Sequence, residues 1–445
     1  MGNFNLNQGD VMRTTETQES TATKLERIAW LSKRDKEKKY DCLMHYFNEA
    51  SLKECYHQLA SRRVVGTDRV TKEVYGQQLE ENLKALTTKM KQMSYRPEAV
   101  REVLIPKEGK LNAVRPLGIS NFEDKIVQKM MQKILEAVYE PIFLECSYGF
   151  RPGIGCHDAI RDLRNHLYKN PTEVVLDIDM ENFFNSINHK ELEVILREKI
   201  KDQKLMRYII RMFKAGVLSK GELMVGEEGV MQGSICSPIL ANIFAHYVID
   251  EWFEKTVRQH CRGQVKLFRY CDDLCITCEH ARDAERIRAA LTNRLNKYRL
   301  KLNEEKTQMV NFKNSNGKKA VFNFLGFTFY WGKSRNGRII PKVKTEKKRM
   351  RSKLNKMKEW IKGIRNKQKL KVIWEELKRK VEGHIRYYGV SFNIEEVERY
   401  IYLTTQLIFK WLNRRSQKKS FDWEQFNKFM RANPLPKVRV CHKLF

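Results

Sequence analysis

Three things are scarce in this 445-residue chain, and each scarcity removes a class of function. Long apolar runs come first. No stretch approaches the roughly 18 apolar residues of a membrane span. Met1 to Thr23 is polar, rich in Thr, Gln and Asn, and lacks the apolar core of a secretory signal. The expectation is a protein of the bacterial cytoplasm, associated with the nucleoid, with no membrane partner and a disordered tail over 1–23. Paired metal-binding residues are also missing. The ten cysteines are scattered, several inside apolar runs (Cys236, Cys271, Cys275), as suits reduced thiols. Cys275-Ile-Thr-Cys278 has Cys-x-x-Cys spacing, but no second Cys or His pair lies nearby, so strand packing is the better account. Neither a Gly-x-x-x-x-Gly-Lys-Ser/Thr loop nor a Gly-rich dinucleotide fingerprint occurs. The third shortage is of negative charge. Asp and Glu number 54 against 85 Lys and Arg, a net charge of +31. Such an excess calls for a polyanionic partner, nucleic acid ahead of a membrane surface.

Helical periodicity runs from Lys24 to about Ala60 and from Val70 through Leu86, then over Asp124 to Phe143 and His157 to Tyr168. Between them, Val103 to Pro106 and Val114 to Ile119 read as a basic β-hairpin that sets Lys107, Lys110 and Arg115 against phosphates. Ser147 to Gly153 is an aromatic and basic loop suited to stacking on a nucleic-acid strand. Gly229 to Phe244 reads as a loop entering a buried helix, with Ser237 as N-cap, Pro238 in the first turn and Gly233 allowing close backbone approach to a ligand. Ala281 to Tyr298 is helical. Gln308 to Phe312 and the strictly alternating Phe322 to Tyr330 are strands, with Gly326 at a bulge or close approach.

Residues 333–380 carry 20 Lys and Arg against 4 Glu, about half of the whole excess. Three apolar stripes run here and beyond, through Met350 to Ile364, Leu370 to Ile385, and Val397, Ile401, Leu407 and Trp411. They predict three helices with cationic outer faces, a surface that tracks phosphates.

Two stretches carry the chemistry. Val174-Val-Leu-Asp177-Ile-Asp179 is an apolar strand ending in alternating acids, so Asp177 and Asp179 share one face at its C-terminal end. A bare carboxylate there is costly unless a cation compensates. Phe268-Arg-Tyr-Cys-Asp272-Asp273-Leu-Cys-Ile276 sets two acids between two β-prone runs, a tight hairpin with the acids at its tip. An Asp-Asp pair is otherwise an ordinary solvated turn. Together, Asp179 and Asp272 fit two-metal phosphoryl transfer, in which two Mg²⁺ ions roughly 3.5–4 Å apart are bridged by carboxylates from separate rigid elements.

Arg115-Pro-Leu-Gly-Ile, Tyr148-Gly-Phe-Arg-Pro-Gly153, Asp179-Met-Glu-Asn-Phe-Phe184, Gln232-Gly-Ser-Ile-Cys-Ser-Pro238, Tyr270-Cys-Asp-Asp273, Leu302-Asn-Glu-Glu-Lys-Thr307 and Phe324-Leu-Gly-Phe327 occur in the order of the blocks of reverse transcriptases. Over roughly residues 60–330 the set resembles the reverse transcriptases encoded by group II introns. Val381-Glu-Gly-His-Ile-Arg-Tyr-Tyr-Gly389 and Phe409 to Arg415 are similar to the maturase region of that family. The resemblance implies an α+β right-hand polymerase: fingers over 24–170, a palm with an antiparallel sheet over 171–330, a helical thumb over 331–385 and a helical maturase-like RNA- and DNA-binding region over 386–445.

It also implies roles. Asp179, Asp272 and Asp273 form the catalytic, metal-binding trio, with a backbone carbonyl from Ile178 or Met180. The ions are Mg²⁺, with Mn²⁺ as substitute. Phe184 excludes the ribose 2′-hydroxyl, and Lys110 and Arg115 clamp the triphosphate of a dNTP. Gln232 and Gly233 line the nucleotide, and Lys306 assists the pyrophosphate. Arg151 and Phe324, Leu325, Gly326 and Phe327 hold template and primer. Implied partners are an RNA template, structured intron RNA above all, a DNA primer or target, and dNTPs, in a monomer or dimer. Asn185, Ser234 and Cys271 depart from residues common in relatives. Two rival expectations are a related enzyme freed for phage defence or DNA repair without maturase function, and a catalytically silent RNA-binding splicing cofactor.

Overall fold

The computed structural model describes residues 20–61, 64–106, 114–219, 222–230, 232–313, 320–415 and 422–445. Residues 1–19 of the expected tail, and Lys107 and Lys110 of the basic hairpin, lie outside them. Residues 21–23 are helical, because Ser20 caps a helix over Thr21–Arg34. The helical pattern from Lys24 to about Ala60 is interrupted: Asp202 accepts hydrogen bonds from the backbone N–H of Leu43 and Met44 at 2.7 and 2.8 Å, before the next helix at Glu49–Gln58.

The described strands are β1 (Val100–Pro106), β2 (Val114–Ile119), β3 (Val174–Asp179), β4 (Val217–Ser219), β5 (Glu222–Met224), β6 (Val265–Tyr270), β7 (Asp273–Cys278), β8 (Gln308–Asn311), β9 (Val321–Phe324), β10 (Phe327–Lys333) and β11 (Ile339–Thr345). They form three sheets, ordered β2-β1-β4-β5, β6-β7-β3-β8 and β11-β10-β9. The strands β4, β5 and β11 were not foreseen.

The central sheet β6-β7-β3-β8 is antiparallel throughout and positions the acids. Its two faces follow from the period-2 alternation of β3. Val174, Leu176 and Ile178 enter a large core shared with the helix Phe122–Tyr139 and the helix beginning at Ser237. Val175 enters a second core with Phe268, Cys275 and the aromatic residues of β9 and β10. Asp177 and Asp179 lie on this second face, opposite Cys275 and Asp273. Cys275 and Cys278 point into different cores, and all ten cysteines are free thiols, so the Cys-x-x-Cys spacing is strand packing.

Phe322 to Tyr330 is two strands, not one. Leu325 and Gly326 have φ of 50° and 78°, the paired left-handed conformation of a two-residue hairpin turn, so Gly326 marks a turn and not a bulge. The hairpin belongs to its own sheet, and β10 continues to Lys333, so a division at 330/331 falls inside a strand. Four helices follow, Lys347–Ile364, Leu370–Tyr388, Ile394–Leu412 and an unforeseen Trp423–Ala432. In the third, the buried stripe is Val397, Tyr400, Thr404, Ile408 and Leu412. It is turned from the expected Ile401, Leu407 and Trp411, because Tyr400 stacks on the buried His384 at 3.5 Å. No helix among the described residues is long and apolar enough to cross a membrane.

Phe329 is fully buried in the second core, where it stacks at 4.9 Å on Phe322, its cross-strand partner in the same sheet. Phe329→Ala should cost about 3–5 kcal/mol, read as a lower urea midpoint. An unchanged midpoint would mean that this second core does not hold the sheets together.

Candidate active site

Strands β6 and β7 are joined by two residues, Cys271 and Asp272, with Tyr270 opposite Asp273. Cys271 adopts φ 59° and is buried, which leaves Asp272 at the turn's apex and Asp273 on the first residue of β7. The chain after β3 turns at Asn182, in the left-handed conformation at φ 44°, and starts a short helix, Phe183–Ser186. Asp179 is the last residue of β3. Its carbonyl accepts from the Asn303 N–H at 2.8 Å, and Met180 bridges to Leu302. The segment between Asn303 and Thr307 thereby loops outward and folds Lys306 back over the strand end, with Nζ 2.7 Å from each oxygen of the Asp179 carboxylate.

These elements enclose a cavity of about 380 Å³ that brings together Asp179, Met180, Asp272, Arg115, Gln232 and Lys306. Arg115 arrives on β2. The Gln232 carbonyl accepts from the Gly118 N–H of β2 at 2.7 Å, which fixes the loop against the same strand. Gly233 has φ 111°, and a Cβ there would stand 2.5 Å from the Gly118 carbonyl. Its close approach is to β2. The helix that follows spans Ser237–Ala245 with Cys236 at the cap position, so Ser237 lies inside the helix.

The acids repel one another. Burial, then the charges of Asp272 and Asp179, raise Asp273 to about 7, against the pull of Arg349 and Lys306. Burial followed by Asp273 and Asp179 raises Asp177 to about 7 as well. Asp272 is also raised by burial and by Asp179, while Arg115 draws it down. Carboxylates whose charged forms are penalised in this way gain from a cation placed between them. Among the described residues no three His, Cys, Asp or Glu side chains make a ready-made metal cage. Two carboxylates with a backbone carbonyl nonetheless suit Mg²⁺, which takes hard oxygen ligands and leaves much of its shell to water and phosphate.

Several expected site residues are placed elsewhere. Ile178 is buried and paired with Leu274 inside the sheet, whereas Met180 lines the cavity. Arg151 points inward: Nε donates to Glu140 at 2.7 Å and Nη1 to the carbonyls of Leu144 and Ser147, which leaves no fork for a template phosphate. Phe324 and Phe327 are buried, and Phe327 stacks on Tyr387 at 5.8 Å, so their rings are core and do not grip a primer. Only Leu325 and Gly326 reach the hairpin's outer edge, where the Tyr387 hydroxyl donates to the Leu325 carbonyl at 3.0 Å. Phe183, fully buried, lines the cavity; Phe184 is half-buried beside it. Asn182, Asn185 and Asn303 also line it. Asn303 had no role in the sequence reading, although its place directly after Leu302, three residues before Lys306, marks the turn.

The family model for reverse transcriptase (RNA-dependent DNA polymerase) matches residues 105–329. The chain belongs to the reverse transcriptase family. It is 34% identical over 191 residues to the group II intron-encoded protein LtrA of Lactococcus lactis, a match covering 43% of this chain and 31% of LtrA. It is 41% identical over 154 residues to a 91 kDa protein in the cob intron of Schizosaccharomyces pombe, 35% of this chain and 18% of that protein. With YkfC of Escherichia coli K12 it shares 30% identity over 317 residues, 64% of this chain and 81% of YkfC. The chain thus spans about a third of LtrA but most of YkfC. Residues 105–329 form a reverse transcriptase, RNA-directed DNA polymerase, domain.

Lys306 covers both oxygens of Asp179 and so competes for them with a divalent cation. Lys306→Met should lower the half-saturating Mg²⁺ concentration of primer extension by about threefold or more, while kcat falls. An unchanged Mg²⁺ requirement would mean that the contact is incidental.

Proposed function

We propose that this protein synthesises DNA on an RNA template by two-metal phosphoryl transfer. The observation that supports this most directly is the cavity in which Asp179 and Asp272 converge from separate elements, flanked by Arg115, Gln232 and Lys306. In this reading residues 24–170 act as fingers, the stretch from 171 to the end of the β9–β10–β11 sheet at Thr345 as palm, the helices that follow to 385 as thumb and 386–445 as a maturase-like region.

Asp179 and Asp272, with the Met180 carbonyl, would hold two Mg²⁺ ions, or Mn²⁺ in their place. When bound, such ions lower the pKa of an attacking 3′-hydroxyl and neutralise charge on the departing pyrophosphate. The chain's own residues do the rest. Arg115 offers a planar two-pronged donor to triphosphate oxygens. Lys306, whose ammonium lies beside Asp179, would serve as the cation on the pyrophosphate side. Asp273 restrains the tip and adds negative charge beside Asp272. Gln232 and Gly233 close the template side, and Phe184 bars a 2′-hydroxyl. The exposed cations of the helix Lys347–Ile364, among them Lys347, Lys348, Arg351, Lys353 and Lys356, supply a face for the template–primer backbone.

Intron RNA is the partner we propose, because two of the relatives are named as intron proteins and the C-terminal helices carry the maturase-like sequence. RNA sequenced from the purified complex should be enriched in one structured transcript. A random RNA population would favour the rival reading of a freestanding enzyme.

Asp272→Ala should reduce dNTP incorporation on an RNA template by at least about a thousandfold, since it forfeits several kcal/mol of charge stabilisation. A variant with full activity would overturn the two-metal assignment. Phe184→Ala should admit ribonucleotides about 10–200-fold more readily relative to dNTPs. If Phe183→Ala does so and Phe184→Ala does not, the filter belongs to the residue that lines the cavity.

A further inference from the structure

Among the described residues two charged side chains outside the chemistry above are fully buried, Asp250 and, three residues before Asp272, Arg269. Its Nε and Nη2 hold the Asp250 carboxylate at 2.6 and 2.5 Å. Nη2 also donates to the Ser147 hydroxyl at 2.7 Å, and Nη1 to the Asn242 side-chain oxygen at 3.0 Å. Nη1 makes a further contact with the Cys271 carbonyl at 3.3 Å. Burial opposes the Arg269 charge, but the Asp250 carboxylate more than restores it, so the guanidinium stays above its ordinary value.

Each partner ties the hairpin tip to a different element. Asp250 ends a π-helical turn, His246–Asp250, that continues the helix starting at Ser237, and Asn242 lies one turn before His246. Asn242 donates in turn to the Gly149 carbonyl at 2.6 Å. The loop before Gly149 pairs with β6 as a further strand would: Tyr148 N–H donates to the Arg269 carbonyl at 2.8 Å, and Arg269 N–H to the Cys146 carbonyl at 2.7 Å. Gly149 lies so close over the tip that a Cβ there would stand 2.6 Å from the Cys271 nitrogen. Cys271, in the left-handed conformation, is therefore covered by Gly149 and tied at its carbonyl by Arg269.

We propose that Arg269, with Asp250 and Asn242, is a positioning device that sets the angle at which the Cys271–Asp272 turn presents the Asp272 carboxylate. The inference rests on the polymerase reading and deepens it. The same clamp links the tip to the helix whose preceding loop carries Gln232, so the metal-binding and template-side parts of the cavity share one buried anchor. A purely structural account is weaker, because a buried ion pair is commonly replaceable by apolar residues of similar volume without loss of stability. Such a replacement leaves the core filled but removes the tie to the Cys271 carbonyl.

The test is the full chain carrying Arg269→Met together with Asp250→Leu. The melting temperature should stay within about 5 °C of the parent. kcat for primer extension should fall about ten- to a hundredfold, half-saturating Mg²⁺ should rise about threefold or more, and KM for dNTP should move less than about twofold. A folded double variant with parental kcat and Mg²⁺ dependence would overturn the proposal. If the double variant does not fold, Asn242→Ala decides: reduced kcat at an unchanged melting temperature supports the device, and unchanged kcat overturns it. If the parent protein incorporates no nucleotide, it is the polymerase reading that fails. The device is then judged from Mg²⁺-induced thermal stabilisation, expected in the parent and weakened in the double variant, with equal stabilisation in both counting against it.

Discussion

Four carboxylates, Asp177, Asp179, Asp272 and Asp273, crowd the end of one antiparallel sheet, and their mutual repulsion is the constraint around which the neighbouring structure is arranged. Burial and like charge raise Asp177 and Asp273 to about 7. A sheet end of this kind holds together only if positive charge is brought to it. Lys306 is folded back from the loop after Leu302 onto Asp179, and Arg115 is carried in on β2 towards Asp272. Arg349, at the start of the helix Lys347–Ile364, draws Asp273 down. Three separate stretches of chain therefore converge on the acids, each contributing one cation.

The sheet can present acids at one end because its two faces are both dry elsewhere. Alternation along β3 sends Val174, Leu176 and Ile178 to one core and Val175 to the other. The second core is assembled from β9, β10 and the C-terminal helices, so the most basic part of the chain is joined directly to the face that bears the acids. Charge on the outer surface of those helices and charge in the cavity have opposite sign. Under the proposed function, that arrangement would let a polyanionic backbone be held along the helices while its reacting end meets cations attracted by the carboxylates.

Much of this was legible in the sequence. Apolar residues leading into alternating acids specify a strand end, and two acids between β-prone runs specify a hairpin; both follow from local patterning, and the structure has them. The errors share a cause. Arg151, Phe324 and Phe327 were assigned to nucleic acid by resemblance, yet an Arg reads the same in sequence whether its partner is a phosphate or Glu140, and an aromatic residue the same whether it stacks on a base or on Tyr387. The third helical stripe, set on Val397, Ile401, Leu407 and Trp411, passed over Tyr400 and Thr404, although His384 gives Tyr400 a stacking partner inside. β11 escaped because its apolar residues are few and interleaved with Lys, whereas the last helix carries a stripe of Trp423, Phe426 and Phe429 that the sequence reading passed over.

Arg269 is the instructive omission, because a signal for it did exist. By the same parity that located Asp177 and Asp179, it falls on the face of β6 that carries Val265 and Leu267 into the large core, where a cation has no solvent to turn to. A charge at such a position requires a buried partner, and the sequence offers acids too many to choose among; only the folded chain singles out Asp250, nineteen residues earlier. Desolvating both members costs several kcal/mol per ion, and their attraction does no more than offset it. Stability alone thus gives little reason to retain the pair. Its geometry gives a better one: the guanidinium is the single group that touches the Asp250 helix, the Ser147 loop and the Cys271 carbonyl together, and so fixes a turn whose neighbouring carboxylates would otherwise push apart.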